Sequence, residues 1–128
     1  MRKFALLVAP LLLVLALAFA GCGKGGTSST TCSTGSVNLT SSNFAVNCAN
    51  IKAGSAISFA NPSSGAIHIL CIGSNQSCSG GAGPDALTNG HTLTINPGET
   101  KQVTFPSAGS FSVTCTVHAN MNLAVTVS

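Results

Sequence analysis

Short segments in which apolar and polar residues alternate repeat along the chain from residue 36 to its end. This period-two pattern is typical of β-strands that bury one face. A more continuously apolar segment, 66–73 (AIHILCIG), is typical of a central strand that is covered on both sides. The alternating segments are 36–40, 55–61, 91–96, 101–105, 109–115 and 122–128.

Turn-forming residues separate these segments, as in the stretches KAGS, NPSSG, NPGET and PSAGS. Seven or eight short strands at this spacing predict an all-β fold, a Greek-key antiparallel β-sandwich formed by residues 37–128. Helix is expected to be nearly absent. Residues 73–90 predict a long irregular loop, and a loop of that length usually has a function or a covalent constraint.

Residues 1–21 have the composition of an export signal, with a positive start (MRK), a long apolar run and small residues at the end. Cys22 follows directly after Ala-Gly, which resembles the lipobox of bacterial lipoproteins, whose cysteine is acylated and becomes the first residue. Residues 22–36 are mostly Gly, Ser and Thr and predict a flexible tether. We therefore expect an extracytoplasmic protein held on a bacterial membrane by lipid on Cys22. The alternative is a plain signal peptide cleaved near Ala20.

Charged residues are scarce in the chain beyond residue 21, where three lysines and two carboxylates leave a net charge of +1. Without a basic stripe to neutralise phosphates, nucleic acid is not expected as a partner. Long-range electrostatic steering should also be weak. We expect a monomer.

Six cysteines are present, and Cys22 is assigned to lipid. Four others, Cys32, Cys48, Cys71 and Cys78, are an even number in an exported chain, which predicts two disulfides. Three pairings are possible, and proximity in sequence favours Cys32–Cys48 and Cys71–Cys78. The alternative is that one or more of them remain buried thiols.

The stretch CTVHANM contains Cys115, His118 and Met121 within seven positions. Alternation along 109–115 directs Cys115 toward the core, and a short turn can bring His118 and Met121 back over the same place. A thiolate, an imidazole and a thioether together suit copper. His68, on an apolar strand, would supply a second imidazole.

The segments NPSSGAIHIL and FPSAGSFSVTCTVHANMNLAVTV resemble the cupredoxins, small type 1 blue copper proteins of the plastocyanin and amicyanin type. The Cys-x2-His-x2-Met spacing is that of amicyanin. The resemblance implies one mononuclear type 1 copper ion, with His68, Cys115 and His118 as equatorial ligands and Met121 as the axial ligand. It implies an electron carrier, not an enzyme, that exchanges electrons with redox proteins of a membrane electron-transport chain.

The sequence departs from this family at the ligand loops. Ile69 stands where many members have asparagine, and Val117 and Ala119 stand where amicyanin has prolines. The resemblance also implies that His118 is the point of electron entry and exit, within an apolar docking patch.

Other functions remain open from the sequence. A zinc set of His68, Cys71, Cys115 and His118 is conceivable, but positions 68 and 71 face opposite sides of a regular strand. Catalysis by Cys115 with His118 lacks an orienting carboxylate nearby. A copper-buffering lipoprotein without a redox partner and a metal-free structural sandwich are further alternatives, and His91 is expected to be a surface residue.

Overall fold

The computed structural model describes residues 31–128, so the predicted signal peptide and Cys22 lie outside the described residues. Within this part of the chain there are nine strands and one short 3-10 helix. No helix in residues 31–128 is long and apolar enough to span a membrane. The elements are β1 (Ser36–Asn38), β2 (Cys48–Ile51), β3 (Ala56–Ala60), β4 (His68–Ser74), β5 (Ser77–Cys78), the 3-10 helix (Asp85–Leu87), β6 (Leu93–Ile95), β7 (Thr100–Thr104), β8 (Gly109–Cys115) and β9 (Asn122–Val127).

Two sheets form the molecule, which confirms the predicted all-β fold. The smaller sheet has the order β1-β3-β7. The larger has the order β2-β9-β8-β4, and both β5 and β6 pair with β4. Two pairs, β1 with β3 and β2 with β9, are parallel, whereas the other pairs are antiparallel as expected. The parallel pairs join segments distant in sequence, and a local pattern carries no information about them.

The core lies between the sheets because each strand turns one face inward. In β9 the alternation is strict, since Leu123, Val125 and Val127 are buried while the residues between them are exposed. Removing such side chains from water is the main stabilising contribution to the fold. The largest fully buried side chains are Phe59, Phe105, Ile57, Leu70, Leu87, Ile95, Met121, Leu123 and His68.

Two strands were not recognised in the sequence. β2 spans only four residues, and β5 only two, within the predicted irregular loop. The predicted loop 73–90 is held in place near its start and near its end. β5 folds back on β4 through the turn residues Asn75 and Gln76, and Leu87 of the 3-10 helix is buried in the core.

The two disulfides in the structure are the pairs that proximity favoured, Cys32–Cys48 and Cys71–Cys78. The Cys32–Cys48 disulfide attaches the end of the predicted tether to β2. Ser33 N–H donates to the Cys48 carbonyl at 2.9 Å, and the Ser33 carbonyl accepts from Asn50 N–H at 2.8 Å. The folded part therefore begins by Cys32, a few residues before the predicted boundary at residue 37.

Candidate metal centre

His68 and Cys115 meet because of strand register. His68 is the first residue of β4, and Cys115 is the last residue of β8. Leu70 lies opposite Cys115 in this antiparallel pair, so His68 lies two residues farther toward the same end of the sandwich. Alternation places His68 and Leu70 on the core face of β4. Both His68 and Cys115 are fully buried.

His118 completes a compact group with these two residues. Sγ of Cys115 lies 3.8 Å from Nδ1 of His68 and 3.6 Å from Nδ1 of His118. The two imidazole rings lie 4.8 Å apart, inclined by 49°. Between residues 31 and 128, no other set of three or more His, Cys, Asp or Glu side chains comes together as a potential metal site.

The two nitrogen–sulfur separations are those expected around a single metal ion. With metal–nitrogen and metal–sulfur bonds of about 2.0 and 2.3 Å, two ligands at a trigonal angle of roughly 120° lie about 3.7 Å apart. The observed nitrogen–sulfur distances of 3.8 and 3.6 Å lie on either side of this value. A thiol and two imidazoles are also the donor set that suits copper. The residues present therefore fit a type 1 copper ion.

Backbone contacts determine which nitrogen of His68 is available. Nε2 lies 2.9 Å from the carbonyl oxygen of Thr40. Since a carbonyl oxygen can only accept, Nε2 carries the proton and Nδ1 presents its lone pair to Cys115. A hydrogen bond of this kind orients a ligating imidazole. No sequence pattern points to Thr40, because the contact involves its backbone and spans 28 residues.

Burial lowers the pKa of His68 below its ordinary value. The hydrogen bond to Thr40 opposes this effect in part, and the nearby His118 adds to the lowering. Desolvation disfavours the charged imidazolium, so the neutral form dominates at neutral pH. The neutral form is the one that binds a metal.

The loop 115–121 brings the backbone of Met121, the fourth predicted ligand, back beside Cys115. Cys115 N–H donates to the Met121 carbonyl at 3.0 Å, and the Thr114 hydroxyl donates to the same oxygen at 3.2 Å. Asn120, with φ of 60°, reverses the chain just before Met121. Met121 is 1% exposed and belongs to the same buried cluster as Cys115.

Among the four predicted ligands, only His118 reaches the surface, where it is partly exposed. Val117 and Ile67, 43% and 42% exposed, are the large apolar side chains that stand out at the surface in the described region. Each adjoins a ligand in sequence, Val117 beside His118 and Ile67 beside His68. Ile67 was overlooked in the sequence, although its position directly before the inward-facing His68 could have indicated an outward side chain.

The structure also argues against two of the alternatives, the zinc set and catalysis by Cys115. Cys71 is bonded to Cys78 and lies opposite Thr114 on the other face of β4, so it is not available to the zinc set. No carboxylate belongs to the group formed by Cys115 and His118, and no triad is present there. His91 is exposed, and its Nδ1 lies 2.8 Å from the Asp85 carbonyl oxygen, as expected of a surface residue.

Comparison with known proteins agrees with this geometry. The family model described as copper binding proteins, plastocyanin/azurin family, matches residues 30–128. A comparison with curated protein sequences gives no significant match.

Similar solved structures include several amicyanins. A methionine-to-alanine variant in the Cu(I) state is 16% identical over 74% of this chain and 82% of its own, with a TM-score of 0.55. An oxidised proline-to-glycine variant is 16% identical over 85% and 88% of the two chains, with a TM-score of 0.54. Amicyanin from Paracoccus versutus (Thiobacillus versutus) is 16% identical over 78% and 86%, with a TM-score of 0.53. At these identities the likeness shows a shared fold.

Proposed function

Because the chain belongs to the plastocyanin/azurin family of copper-binding proteins, we propose that it is an electron carrier anchored outside the cytoplasm on a bacterial membrane. The observation that carries this proposal is the convergence of one buried thiol and two imidazoles, Cys115, His68 and His118, within 4.8 Å. A bound copper ion would supply a one-electron Cu(II)/Cu(I) couple. As in its family, the role is electron transfer and not catalysis.

The chain holds its ligands on a scaffold that suits repeated electron transfer. His68 and Cys115 lie at the ends of two paired strands in the larger sheet, and the Thr40 carbonyl holds the His68 ring. Packed interiors resist rearrangement, so the ligands should keep their positions in both oxidation states. The full burial of His68 and Cys115 keeps water away from the thiolate.

His118 is the residue through which electrons should enter and leave. It is the partly exposed member of the group, and Val117 and Ile67 provide an apolar surface near the ligands. A small apolar contact with few charges suits brief association with a redox protein of a membrane electron-transport chain.

Anchoring and location are supported by the sequence of residues 1–36 and by the disulfides. The lipobox-like position of Cys22 would attach the chain to lipid, and the segment from Cys22 to Cys32 would be its tether. Two disulfides are typical of an oxidising, extracytoplasmic compartment. The protein would work on the outer face of the cell membrane or in the periplasm.

Copper titration tests the metal centre. Adding Cu(II) to the purified protein with Cys115 reduced should produce an intense visible absorption at one copper per chain, since a thiolate bound to Cu(II) absorbs strongly. Cys115→Ser should abolish the band, and His91→Ala, which changes an exposed histidine outside the group, should retain it. A colourless product from the parent protein would contradict the proposal.

Electron transfer itself needs a second measurement. The copper-loaded protein should be reversibly reduced and reoxidised in voltammetry, and electron self-exchange between copies should be fast. A coloured protein with slow self-exchange would instead indicate a copper-buffering lipoprotein.

A further inference from the structure

Within the ligand loop 115–121, one bond, from Cys115 N–H to the Met121 carbonyl at 3.0 Å, joins the two ends, and little else would hold the shape of the loop. It has no proline, and Val117, Ala119 and Asn120 are all exposed. Ile69, which follows the ligand His68, has an aliphatic side chain, so only its backbone carbonyl bonds to the loop, accepting from Thr116 N–H at 2.9 Å. Much of the rigidity that a metal centre needs must therefore come from outside the loop.

The hairpin 71–78 lies against both ends of this loop. Its strands β4 and β5 are joined by the two-residue turn Asn75–Gln76, and the Cys71–Cys78 disulfide closes it. Both turn residues have positive φ, 49° and 67°, as in a type I′ turn. At Gly73 a Cβ atom would lie 1.9 Å from the Ser77 carbonyl oxygen, so the hairpin folds tightly on itself.

Gln76 bonds to the residues on both sides of Cys115. Its backbone N–H donates to the Thr114 hydroxyl oxygen at 3.1 Å, and its side-chain amide donates to the Thr116 carbonyl at 3.2 Å. The Thr114 hydroxyl in turn donates to the Met121 carbonyl at 3.2 Å. A continuous chain of hydrogen bonds thus runs from the hairpin turn to the backbone of two predicted ligands.

Asn75 holds the other end of the loop. Its backbone N–H donates to the Asn122 side-chain oxygen at 2.9 Å, and the Asn122 side-chain amide donates back to the Asn75 side-chain oxygen at 3.2 Å. Asn122 directly follows Met121. These contacts touch residues 114, 116 and 122, which flank the ligands, and none involves a ligating atom.

We propose that the disulfide-closed hairpin 71–78 positions Cys115 and Met121, and that Asn75, Gln76 and Thr114 are the positioning residues through which it acts. The role assigned to these ligands rests on the proposed copper function. The hairpin holds the backbone on both sides of the loop, so the positions of Cys115 and Met121 depend less on the loop's own stiffness. Because an axial thioether helps to set the potential, the hairpin should influence it.

Two changes in the full-length protein test this inference. Asn122→Ala removes both bonds to Asn75 and leaves the disulfide intact. The double change Cys71→Ala with Cys78→Ala removes the covalent closure. The matched control is Cys32→Ala with Cys48→Ala, which removes the other disulfide, for which the structure shows no bond to the loop.

Hydrogen exchange in the copper-free protein is the first readout. The amides of Cys115 and Thr116, which bond to Met121 and Ile69, should exchange about tenfold faster in both hairpin variants, as expected when local opening becomes easier by a hydrogen bond or two. They should exchange as in the parent protein in the Cys32/Cys48 control. The inference would be overturned if these amides exchanged at the parent rate in both Asn122→Ala and the Cys71/Cys78 double variant. It would also be overturned if exchange rose equally in the Cys32/Cys48 control.

The copper-loaded protein provides a second, independent readout. Both hairpin variants should keep the visible absorption but shift its band ratio and the reduction potential, which a purely structural loss of stability would not do. Unchanged values in both variants would overturn the inference. If neither the parent protein nor the variants bind copper, but hydrogen exchange is still faster in the hairpin variants, the positioning role stands and the proposed copper function fails.

Discussion

His68 shows how one residue can be prepared for metal binding by contacts distant in sequence. Its Nε2 is bonded to the Thr40 carbonyl at 2.9 Å, and its Nδ1 lies 3.8 Å from the Cys115 sulfur. Burial lowers its pKa, so the ring is neutral when the protein folds near neutral pH. Tautomer, orientation and charge all follow from where the chain places this one ring.

The stability of the copper-free protein should therefore fall as the pH drops below about 6.5. The unfolded chain, in which His68 has its ordinary pKa of 6.5, binds the proton more readily than the folded protein does. The stability that comes from keeping His68 neutral is therefore fully present above about pH 6.5. It is lost as the pH falls toward the lower pKa of His68 in the folded protein. Urea unfolding at about pH 7.5 and about pH 5.5 measures the difference.

His68→Gln should flatten this pH dependence, because the new side chain does not titrate. His91→Gln, which changes an exposed histidine outside the buried group, is the matched control. If the free energy of unfolding of His68→Gln changed with pH as in the parent protein, other groups would cause the pH dependence.

Met121 should affect the reduction potential without being needed for copper binding. Met121→Gln replaces a soft thioether with a harder amide oxygen, which favours Cu(II) and should lower the potential by about 60 mV or more, a tenfold change in relative affinity for the two states. Met121→Leu removes the donor and should raise the potential. Voltammetry measures both, and equal potentials in all three proteins would exclude Met121 as a ligand.

At the scale of elements, the hairpin 71–78 is the part of the fold that the sequence pattern described least well. Residues 73–90 predict an irregular loop, yet their first part pairs with β4 and bonds to the ends of the ligand loop. β5 has only two residues, too few for alternation to be visible. β5 is held against β4 by the turn at Asn75 and Gln76 and by the Cys71–Cys78 disulfide. Neither contact appears as an alternating pattern in the sequence.

Gly73→Ala should destabilise this element. The added Cβ would lie 1.9 Å from the Ser77 carbonyl oxygen and 2.9 Å from the Cys78 Cα, and backbone atoms cannot move away cheaply. We expect a loss of about 2 kcal/mol or more in the free energy of unfolding, measured with urea. Gly81→Ala, where the nearest atom is 3.7 Å away, is the control and should change it little. Equal stability of the two variants would contradict the tight fold of the hairpin.

For the whole molecule, the arrangement that matters is a compact sandwich at the end of a predicted lipid-bound tether. The fold begins by Cys32, where the Cys32–Cys48 disulfide joins the chain to the edge strand β2 of the larger sheet. A short polar segment between Cys22 and this point would let the domain reorient above a membrane. Tethering would raise the concentration of the carrier near membrane-bound partners.

Cys22→Ser should release the protein from the membrane. The parent chain, expressed in a bacterial host, should fractionate with membranes and enter the detergent phase, since acylation provides the apolar anchor. Cys22→Ser should be found in the soluble exported fraction. Cys115→Ser removes a cysteine without affecting lipid and should remain with the membranes. A parent protein that is itself soluble would contradict the anchoring.

The sequence alone determined the fold class and the candidate ligands. Strict alternation, as in 109–115 and 122–128, follows from the two faces of a strand, and it is readable because it is local. The same alternation predicted that Cys115 faces the core, where the structure has it fully buried. The spacing of Cys115, His118 and Met121, with the resemblance that it carries, indicated copper.

Only the tertiary structure decided how these residues meet. The register that sets Leu70 opposite Cys115, the Thr40 carbonyl that holds His68 and the parallel pairing of β2 with β9 all join distant segments. Such contacts are selected by packing of the whole chain, and no local pattern encodes them. For the same reason the contacts of the hairpin 71–78 with the ligand loop, on which its positioning role depends, became visible only in the folded molecule.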